Sequence, residues 1–477
     1  MYRKPVYSGP RRALALSLFL ALAATTLSAQ ANQWYVDAGV KSPGSGKSWA
    51  AAFATLPAAL SAATSGDTVR VAAGTYMGGF ALPSGVTLLG GFRPGMVNDG
   101  HRRPLHHLTI LDGEGKQRVL QLGATSVLDG FVVQNGKAGS PGGGGILIDT
   151  GAPTVRNSLI RLNTNSGGRG AAMLVRSGAT PRVENCVFTQ NKGPGHVIDV
   201  DGAGGIYVHL TVHDNEDNGL HFINTSSPQV FNCIFSSNTG RGMCHISAKD
   251  QPVVENNLFH GNRIAPYHYR GSDLKTVVEL NQLGYAAGNL AGDPDYLETT
   301  RFFLGANSAA VDQGRDRNDF PIGDIHLDQR GHDDARRSGP GGYRDIGAVE
   351  WQGSALTQGG STSPGGTITF SLTAPSDGGL VYQVGSAFGD GPIAIDTRRI
   401  RLGVDPLLQL TLGGQVPQVF AGYAGRLDNA GKATASVHVP NDSALKGLTL
   451  HTAFVTLSGA APSGVRTISD SLRVRIN

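Results

Sequence analysis

Short apolar runs, separated by glycine, asparagine and proline, alternate along most of this chain. Between residues 128 and 263 one phrase recurs, a β-branched run that closes on asparagine, as in Val183-Glu-Asn-Cys-Val-Phe-Thr-Gln-Asn191. The closing asparagines are residues 135, 163, 191, 215, 238 and 262, so successive phrases lie 23 to 28 residues apart. Leucine-rich repeats have similar periods, but the L-x-x-L-x-L frame that they require is missing. The repeat therefore predicts a parallel β-solenoid, with three short strands in each turn.

A second row of asparagines occupies corresponding places in the repeats. It comprises Asn157, Asn185, Asn232 and Asn256, with His209 in place of one member. Asparagine tolerates left-handed backbone, and stacked amides can hydrogen-bond from one turn to the next. We therefore predict a structural role for both rows.

The segments on either side of the repeats predict a cap at the start of the solenoid and a second domain after its end. Residues 56–63, with Thr55 as the expected capping residue and Pro57 in the first turn, predict a short helix that covers the N-terminal end. The Gly-, Ser- and Thr-rich residues 352–366 predict a linker. Alternating apolar and polar residues within 367–477 predict a small β-sandwich. We thus expect an all-β protein, with the β-helix over residues 32–351.

The first residues have the pattern of an export signal. Four basic residues precede an apolar run from Ala13 to Ala24, and Ala29-Gln-Ala31 supplies small residues for cleavage. We predict a signal peptide over residues 1–31, a mature chain that starts near Asn32, and a secreted or cell-surface protein. The pair Arg11 and Arg12 fits either the Sec or the Tat route.

Charge and cysteine content narrow the possible partners. The chain has 40 Lys and Arg against 36 Asp and Glu, and four basic residues belong to the predicted signal, so no basic stripe favours nucleic acid. No later apolar stretch is long enough for a membrane span. An odd number of cysteines with apolar neighbours, Cys186, Cys233 and Cys244, favours buried free thiols over one disulfide. We expect a monomer.

Several phrases carry a resemblance to the pectate-lyase-like right-handed parallel β-helix superfamily. They are Gly66-Asp-Thr-Val69, Gly74-Thr-Tyr76 and the asparagine turns, and the resemblance extends from residue 34 to about 351. Its last part resembles the choice-of-anchor Q type of bacterial surface proteins, in Val311-Asp-Gln-Gly314, Asp328-Gln-Arg-Gly331 and Arg344-Asp-Ile-Gly-Ala-Val-Glu350. The resemblance implies a right-handed coil and export. It implies no particular reaction, because that family is defined by architecture.

Candidate chemistry depends on which side chains point outward from the third strand of each turn. We aligned the turns on a proline-x-valine phrase and counted back six residues, which predicts an inward row of Leu147, Val175, Val200, Phe222 and Ile246. The flanking outward rows are then Ile146, Leu174, Asp199, His221 and His245, and Ile148, Arg176, Asp201, Ile223 and Ser247. A slip of one residue would reverse every one of these directions.

Side chains of neighbouring turns stand about 4.8 Å apart, so this register places Asp199, His221 and His245 side by side as candidate catalytic residues. An acid and two imidazoles can supply a general base or bind a divalent metal. The candidate substrate-binding residues are Asp201, Arg241, His268 and Arg270. Lyases of the resembled superfamily remove a proton α to a uronate carboxylate while a cation neutralises it, which implies that Arg241 or Arg270 contacts an acidic sugar.

The acidic string from Asp324 to Asp334, which includes His326 and His332, raises the possibility of Ca²⁺ or Zn²⁺. An Asp–Arg pair that closes the C-terminal end of the solenoid explains this string better, because it overlaps the choice-of-anchor phrase.

Two functions remain open. The protein either binds, and as a lyase or glycoside hydrolase cleaves, extracellular polysaccharide or a cell-envelope glycan, or it is a non-catalytic surface or adhesion protein. In the second case the β-helix is a rod, the C-terminal domain attaches it, and the polar row merely faces water. The chain lacks the Arg-x-Pro-x-x-Arg phrase of pectate lyases and the Gly-His-Gly phrase of polygalacturonases.

Overall fold

The computed structural model describes residues 32–296 except 97, 98, 100, 101, 103, 105 and 106; residues 302, 304, 308–311, 313, 314 and 345–349; and residues 355–477 except 375, 376, 390, 391, 396, 397, 462 and 470. The predicted signal peptide and the acidic string from Asp324 to Asp334 lie outside the described residues.

The solenoid is a right-handed coil of three parallel sheets, as predicted, and a full turn contributes one strand to each sheet. In stacking order, sheet 1 comprises Gln33–Val36, Thr68–Ala72, Thr87–Phe92, Val127–Asp129, Thr154–Arg156, Arg182–Glu184, Gly204–Val208, Ser227–Phe231, Val253–Glu255 and Ala286–Ala287. Sheet 2 comprises Gly74–Met77, Thr109–Asp112, Val132–Gln134, Leu159–Arg161, Val187–Thr189, Thr211–His213, Ile234–Ser236, Leu258–His260 and Leu290–Ala291. Sheet 3 comprises Phe80–Leu82, Leu120–Leu122, Ile146–Ile148, Met173–Arg176, Ile198–Asp201, Leu220–Ile223, Arg241–His245, Ala265–Tyr269 and the antiparallel Ser272–Leu274.

The solenoid core lies inside the three sheets and consists of stacked rows of apolar residues. In sheet 1, Val155 pairs with Val183, which pairs with Tyr207, and all three side chains are fully buried. In sheet 2, the rings of Phe235 and Phe259 stack with centroids 5.6 Å apart. β-Branched and aromatic residues suit this pleated, enclosed surface, which explains their enrichment in the repeat.

The two asparagine rows have different structural roles. Residues of the row that contains Asn157 adopt left-handed backbone, with φ between 51° and 54° from Asn157 to Asn256, and His209 takes the same conformation at 53°. The closing row from Asn163 to Asn262 instead forms an amide ladder, in which Nδ2 of Asn191 donates to Oδ1 of Asn215 at 3.0 Å. The same amides also bond backbone groups, so the ladder satisfies buried polar groups at each corner. Asn135 is not part of this ladder, because it has a φ of 53° and donates to Asp112.

The N-terminal end is covered as predicted. A helix over Leu56–Ala62 buries Leu56, Ala59 and Leu60 against the first turns. Thr55 stands at its N-cap position, but its side chain makes no capping hydrogen bond, contrary to the expected role. The other short helices of the described chain are Val277–Leu280, Pro406–Leu412 and the 3-10 helices Trp49–Ala51 and Ser443–Leu445. None of the described helices is long and apolar enough to cross a membrane.

The outer face of sheet 2 is covered by residues that lie after the last turn in the chain. Phe302, Ala348 and Val349 pack on the outward side chains of Val132, Leu159 and Val187. The backbone amide of Ala348 also donates to the hydroxyl of Thr211 at 3.1 Å. This side of the solenoid is therefore not available as an open sheet face.

The C-terminal region consists of antiparallel sheets, consistent with the predicted sandwich. Its strands are Ala355–Gly360, Thr367–Thr373, Lys432–His438 and Phe420–Ala421 in one sheet, Ala424–Arg426, Val381–Ala387, Thr449–Leu457, Val465–Ile468 and Leu472–Arg475 in a second, and Pro392–Ile395 with Arg398–Arg401 in a third. Ala355–Gly360 pairs with Thr367–Thr373, so these residues are not the linker that their composition predicted. Backbone pairing outweighs a glycine-rich composition here, and Leu356 of this strand is buried in the apolar core of the region.

The three cysteines are free and buried, as predicted.

Candidate histidine and aspartate site

The outer face of sheet 3 carries a row of polar side chains in its later turns. Strand pairing aligns Leu147, Leu174, Asp199, His221, Cys244 and His268 in this row. Asp199 and His221 are thus neighbours on successive turns, as the sequence predicted. The carboxylate is fully buried and the imidazole is nearly so.

The register prediction is wrong for His245. This residue pairs with Phe222, in the inward row, and Cys244 takes the place predicted for it beside His221. His245 is fully buried, where Nδ1 lies 2.9 Å from the hydroxyl of Tyr285 and Nε2 lies 2.7 Å from the carbonyl oxygen of Ser247. The prediction is wrong by one residue at the other end of the row too, where Leu147 and not Ile146 faces outward.

Unequal turns between sheets 3 and 1 explain these errors. The inward residue Val175 precedes its aligned proline, Pro181, by six residues, but Ile148 precedes Pro153 by five and His245 precedes Pro252 by seven. A constant count of six therefore fails wherever a corner gains or loses a residue.

His196 completes a cluster with Asp199 and His221. Its ring centroid lies 4.0 Å from that of His221, and one ligand atom from each of the three residues lies within 4.8 Å of the others. Nδ1 of His221 lies 3.1 Å from Oδ2 of Asp199. Since a carboxylate only accepts hydrogen bonds, Nδ1 is the donor, and Nε2 keeps the lone pair of the neutral ring. Burial lowers the pKa of His221, although the Asp199 hydrogen bond opposes the shift, so the ring is neutral at pH 7.

The second imidazole has two partners at Nδ1 and can bond only one of them at a time, because the carboxylate of Asp217 only accepts and Nδ2 of Asn218 only donates. Nδ1 of His196 lies 3.4 Å from Oδ2 of Asp217 and 2.9 Å from Nδ2 of Asn218. Burial opposes ionisation of Asp217, but hydrogen bonds and charge attraction from His196, with backbone amides, lower its pKa to about 2. His196 also has left-handed backbone at φ 73°, which histidine adopts more readily than most residues. Among the described residues, neither Nε2 atom has a hydrogen-bond partner.

The predicted substrate-binding residues fall into separate groups. Arg241 and His268 both donate to the carboxylate of Asp273, and the Arg241 hydrogen bond lowers the pKa of that carboxyl. Asp201 lies 3.4 Å from Nη1 of Arg169, at the other side of the cluster. Arg270 bonds the carbonyl of Ala248 and lies over the ring of Tyr269, so it is not next to His221.

The cluster lies where the connections from sheet 2 to sheet 3 become shorter. These connections are residues 135–145, 162–172, 190–197, 214–219, 237–240 and 261–264. Two of the longer ones pair through Lys137–Ala138 and Thr164–Asn165. The connections before the cluster are thus longer than those that lead to the turns of Arg241 and His268.

The sequence did not predict His196, Asp217 and Asn218 as site residues, because they lie in these connections and outside the repeated phrase. The sequence nevertheless contained a signal for two of them, a polar residue at the same register position in successive turns. His196 lies two residues before the strand Ile198–Asp201, and Asn218 lies two residues before the strand Leu220–Ile223.

The thiol of Cys244 lies beside His221 in the outward row. Burial raises the pKa of Cys244 to about 12, which keeps this thiol protonated at neutral pH and argues against a role as nucleophile.

The fold and the site together place the chain in the class of right-handed parallel β-solenoid proteins, with a histidine–aspartate cluster on the outer face of one sheet. A family model described as "Right handed beta helix region" matches residues 120–283. The match confirms the resemblance to such β-helices over these residues, and the choice-of-anchor resemblance stays a prediction. A crystal structure of the pectate lyase Pel9A is similar with a TM-score of 0.36 and 14% identity, over 67% of this chain and 96% of that chain. No curated protein matches the sequence.

Proposed function

We propose that this protein binds an acidic polysaccharide along the outer face of sheet 3 and cleaves it at the cluster of His196, Asp199 and His221. The observation that carries the proposal is the pair of Asp199 and His221, in which the carboxylate holds Nδ1 of the ring and leaves Nε2 without a partner among the described residues. A carboxylate-oriented imidazole is a suitable group for accepting a proton from a bound substrate.

The surroundings of the pair suit a polymeric anion. Successive turns place side chains at a regular spacing of about 4.8 Å, so an extended chain can contact several turns. Arg169 lies on one side of the cluster and Arg241 on the other, each beside one carboxylate. Either guanidinium can also contact a uronate carboxylate, and stabilising that carboxylate favours removal of the proton α to it.

The first test is a lyase assay on the purified mature chain. A panel of acidic polysaccharides is incubated with the protein, and unsaturated uronate products are detected by their ultraviolet absorbance. We expect a rise with at least one substrate, and its loss in His221→Ala. His438→Ala is the matched control, because His438 is exposed in the C-terminal region, and it should retain the wild-type rate.

Other outcomes separate the remaining functions. Reducing ends that form without ultraviolet absorbance would indicate hydrolysis in place of elimination. Neither cleavage nor binding on any substrate would overturn the proposal and leave the non-catalytic surface rod.

We also propose that residues 1–31 direct export and are removed, and that the mature protein acts as a monomer. The backbone nitrogen of Asn32 already donates to Oδ1 of Asp67 at 2.6 Å, so a chain that begins there has its first residue held in the fold. The intact mass of protein recovered from the medium tests the cleavage point, and light scattering after gel filtration tests the monomer.

A further inference from the structure

The cluster has the composition and the spacing of a transition-metal site. His196, Asp199 and His221 offer two imidazole nitrogens and one carboxylate oxygen, all within 4.8 Å of one another. Ligands about 2.1 Å from a tetrahedral Zn²⁺ ion stand about 3.4 Å apart, so modest side-chain rotation would close the site. All three residues come from neighbouring turns of a rigid solenoid, which limits how far they can separate.

Asp199 provides a second and independent observation. Its side chain is fully buried, and Oδ1 has no hydrogen-bond partner in the described part of the chain, whereas Oδ2 is bonded by His221. Buried polar atoms are nearly always paired, because an unpaired one has lost its hydration without compensation. A bound cation next to Oδ1 would supply the missing interaction.

The two rings differ in their contacts. Nδ1 of His221 faces Oδ2 of Asp199 at 3.1 Å, so an ion held by both residues would take the place of the proton between these two atoms. At His196, Asp217 lies 3.4 Å and Nδ2 of Asn218 lies 2.9 Å from Nδ1. In metal sites, the nitrogen of histidine that does not bind the ion usually bonds a carboxylate or carbonyl. Asp217 can take that role when Nδ1 of His196 donates to it in place of accepting from Asn218, which leaves Nε2 of His196 as the ligand atom.

We propose that His196, Asp199 and His221 bind one divalent first-row transition-metal ion, for which Zn²⁺ is the probe. Two imidazoles and one carboxylate suit this class of ion, whereas Ca²⁺ and Mg²⁺ prefer sites made of oxygen alone. Three protein ligands leave a fourth position for water or a substrate oxygen. The proposal goes beyond the cleavage of polysaccharide and does not depend on it, since the ligands are defined without a substrate.

The test is metal binding by the mature chain after chelation and dialysis. Titration calorimetry should show that one Zn²⁺ ion binds per chain. Co²⁺ should bind with a visible absorption spectrum typical of a four-coordinate site. We expect His196→Ala and Asp199→Asn each to weaken Zn²⁺ binding about 100-fold or more, and Asp217→Asn to weaken it about 10- to 100-fold. His260→Ala and His438→Ala are the controls, since both residues lie outside the cluster, and they should retain wild-type affinity.

Circular dichroism of each variant separates a lost ligand from a lost fold, and Asp217→Asn tests the site without removing any ligand. Failure of the wild-type chain to bind Zn²⁺ or Co²⁺, or binding that both His196→Ala and Asp199→Asn retain at wild-type affinity, would overturn the proposal. Zinc binding without polysaccharide cleavage would leave the metal site standing and reject the proposed function. Cleavage by chelated protein that binds no metal would reject the metal site and leave the proposed function standing.

Discussion

Asp199 pairs with Leu174 on the neighbouring strand of sheet 3, so a fully buried carboxylate continues a row of two buried leucines. A buried carboxylate in an otherwise apolar row is expected where a residue is retained for chemistry at a cost in stability. In metal-free protein, we expect the double variant Asp199→Leu with His221→Leu to be about 1 kcal/mol more stable than wild type, because apolar residues replace a buried polar pair. Urea unfolding measures the difference.

The single variants give the control for this prediction. Asp199→Leu alone leaves Nδ1 of His221 buried without its acceptor, and should destabilise the protein by about 1–3 kcal/mol. A double variant less stable than either single variant would show that the pair is a structural element and not a site.

Asn215 occupies the middle of the amide ladder. Its Nδ2 donates to the carbonyl of Phe188, and its Oδ1 accepts from the backbone amide of Asn191. Asn215→Ala would leave both backbone groups buried and unpaired, so we expect a loss of about 2–4 kcal/mol in the free energy of unfolding. The exposed residue Asn441 offers the matched control, and Asn441→Ala should change stability by less than about 0.5 kcal/mol. Equal effects would mean that the ladder contributes little.

The architecture was predictable because the repeat is local. Every turn repeats the residues of its own strands and corners, so the phrase that ends at Asn191 indicates a turn without knowledge of the rest of the chain. The covering of sheet 2 was not predictable, since the contact of Ala348 with Thr211 spans residues far apart in sequence and belongs to no repeat.

The site was only partly predictable for a related reason. Asp199 and His221 stand in strands, where spacing of two determines direction, and they were found. His196 and Asp217 stand in connections of unequal length, where position depends on the fold of each corner. His245 was misplaced because one extra residue in the next corner turned its strand by one position, which reverses a side chain between the two faces.

Asp129 is fully buried between two arginines. Its Oδ2 lies 2.9 Å from Nη2 of Arg102 and 2.8 Å from Nε of Arg156. Burial raises the pKa of Asp129, but attraction to Arg102 and Arg156 outweighs it and lowers the pKa. Asp129→Ala leaves the buried guanidinium of Arg102 without its counterion, so we expect a loss of about 3–5 kcal/mol at pH 7.

The pH dependence of this effect has a defined sign. A carboxyl whose pKa is lowered by folding stabilises the protein above its unfolded pKa of about 3.9, and that stabilisation is lost as the pH falls through the lower folded value. The difference in unfolding free energy between wild type and Asp129→Ala should therefore shrink steadily below about pH 4. A difference that stays constant from pH 7 to pH 2 would contradict the ion pair as its source.

Asp67 forms hydrogen bonds with three residues at the N-terminal end of the solenoid. Its carboxylate accepts from the backbone nitrogens of Asn32 and Thr64 and from the indole of Trp34. Burial alone would raise the pKa of Asp67, but these hydrogen bonds lower it well below its usual range. If processing occurs after Ala31, the nitrogen of Asn32 becomes an ammonium group within hydrogen-bond distance of this carboxylate, and a neutral hydrogen bond becomes a charged one.

We therefore expect the mature chain to be more stable at pH 6 than a chain that retains Ala29-Gln-Ala31, by about 1 kcal/mol, the usual difference between charged and neutral hydrogen bonds. The carboxylate raises the pKa of the ammonium, so its contribution is present below the unfolded value of about 7.7–8.0 and is lost as the pH rises through the folded value. Thermal unfolding of both chains from pH 6 to pH 11 measures this. The advantage should vanish at the alkaline end, and Asp67→Asn should remove it at every pH, because the amide carries no charge to pair with the ammonium. An advantage that persists in Asp67→Asn would place its origin in the extra residues and not in the new N-terminus.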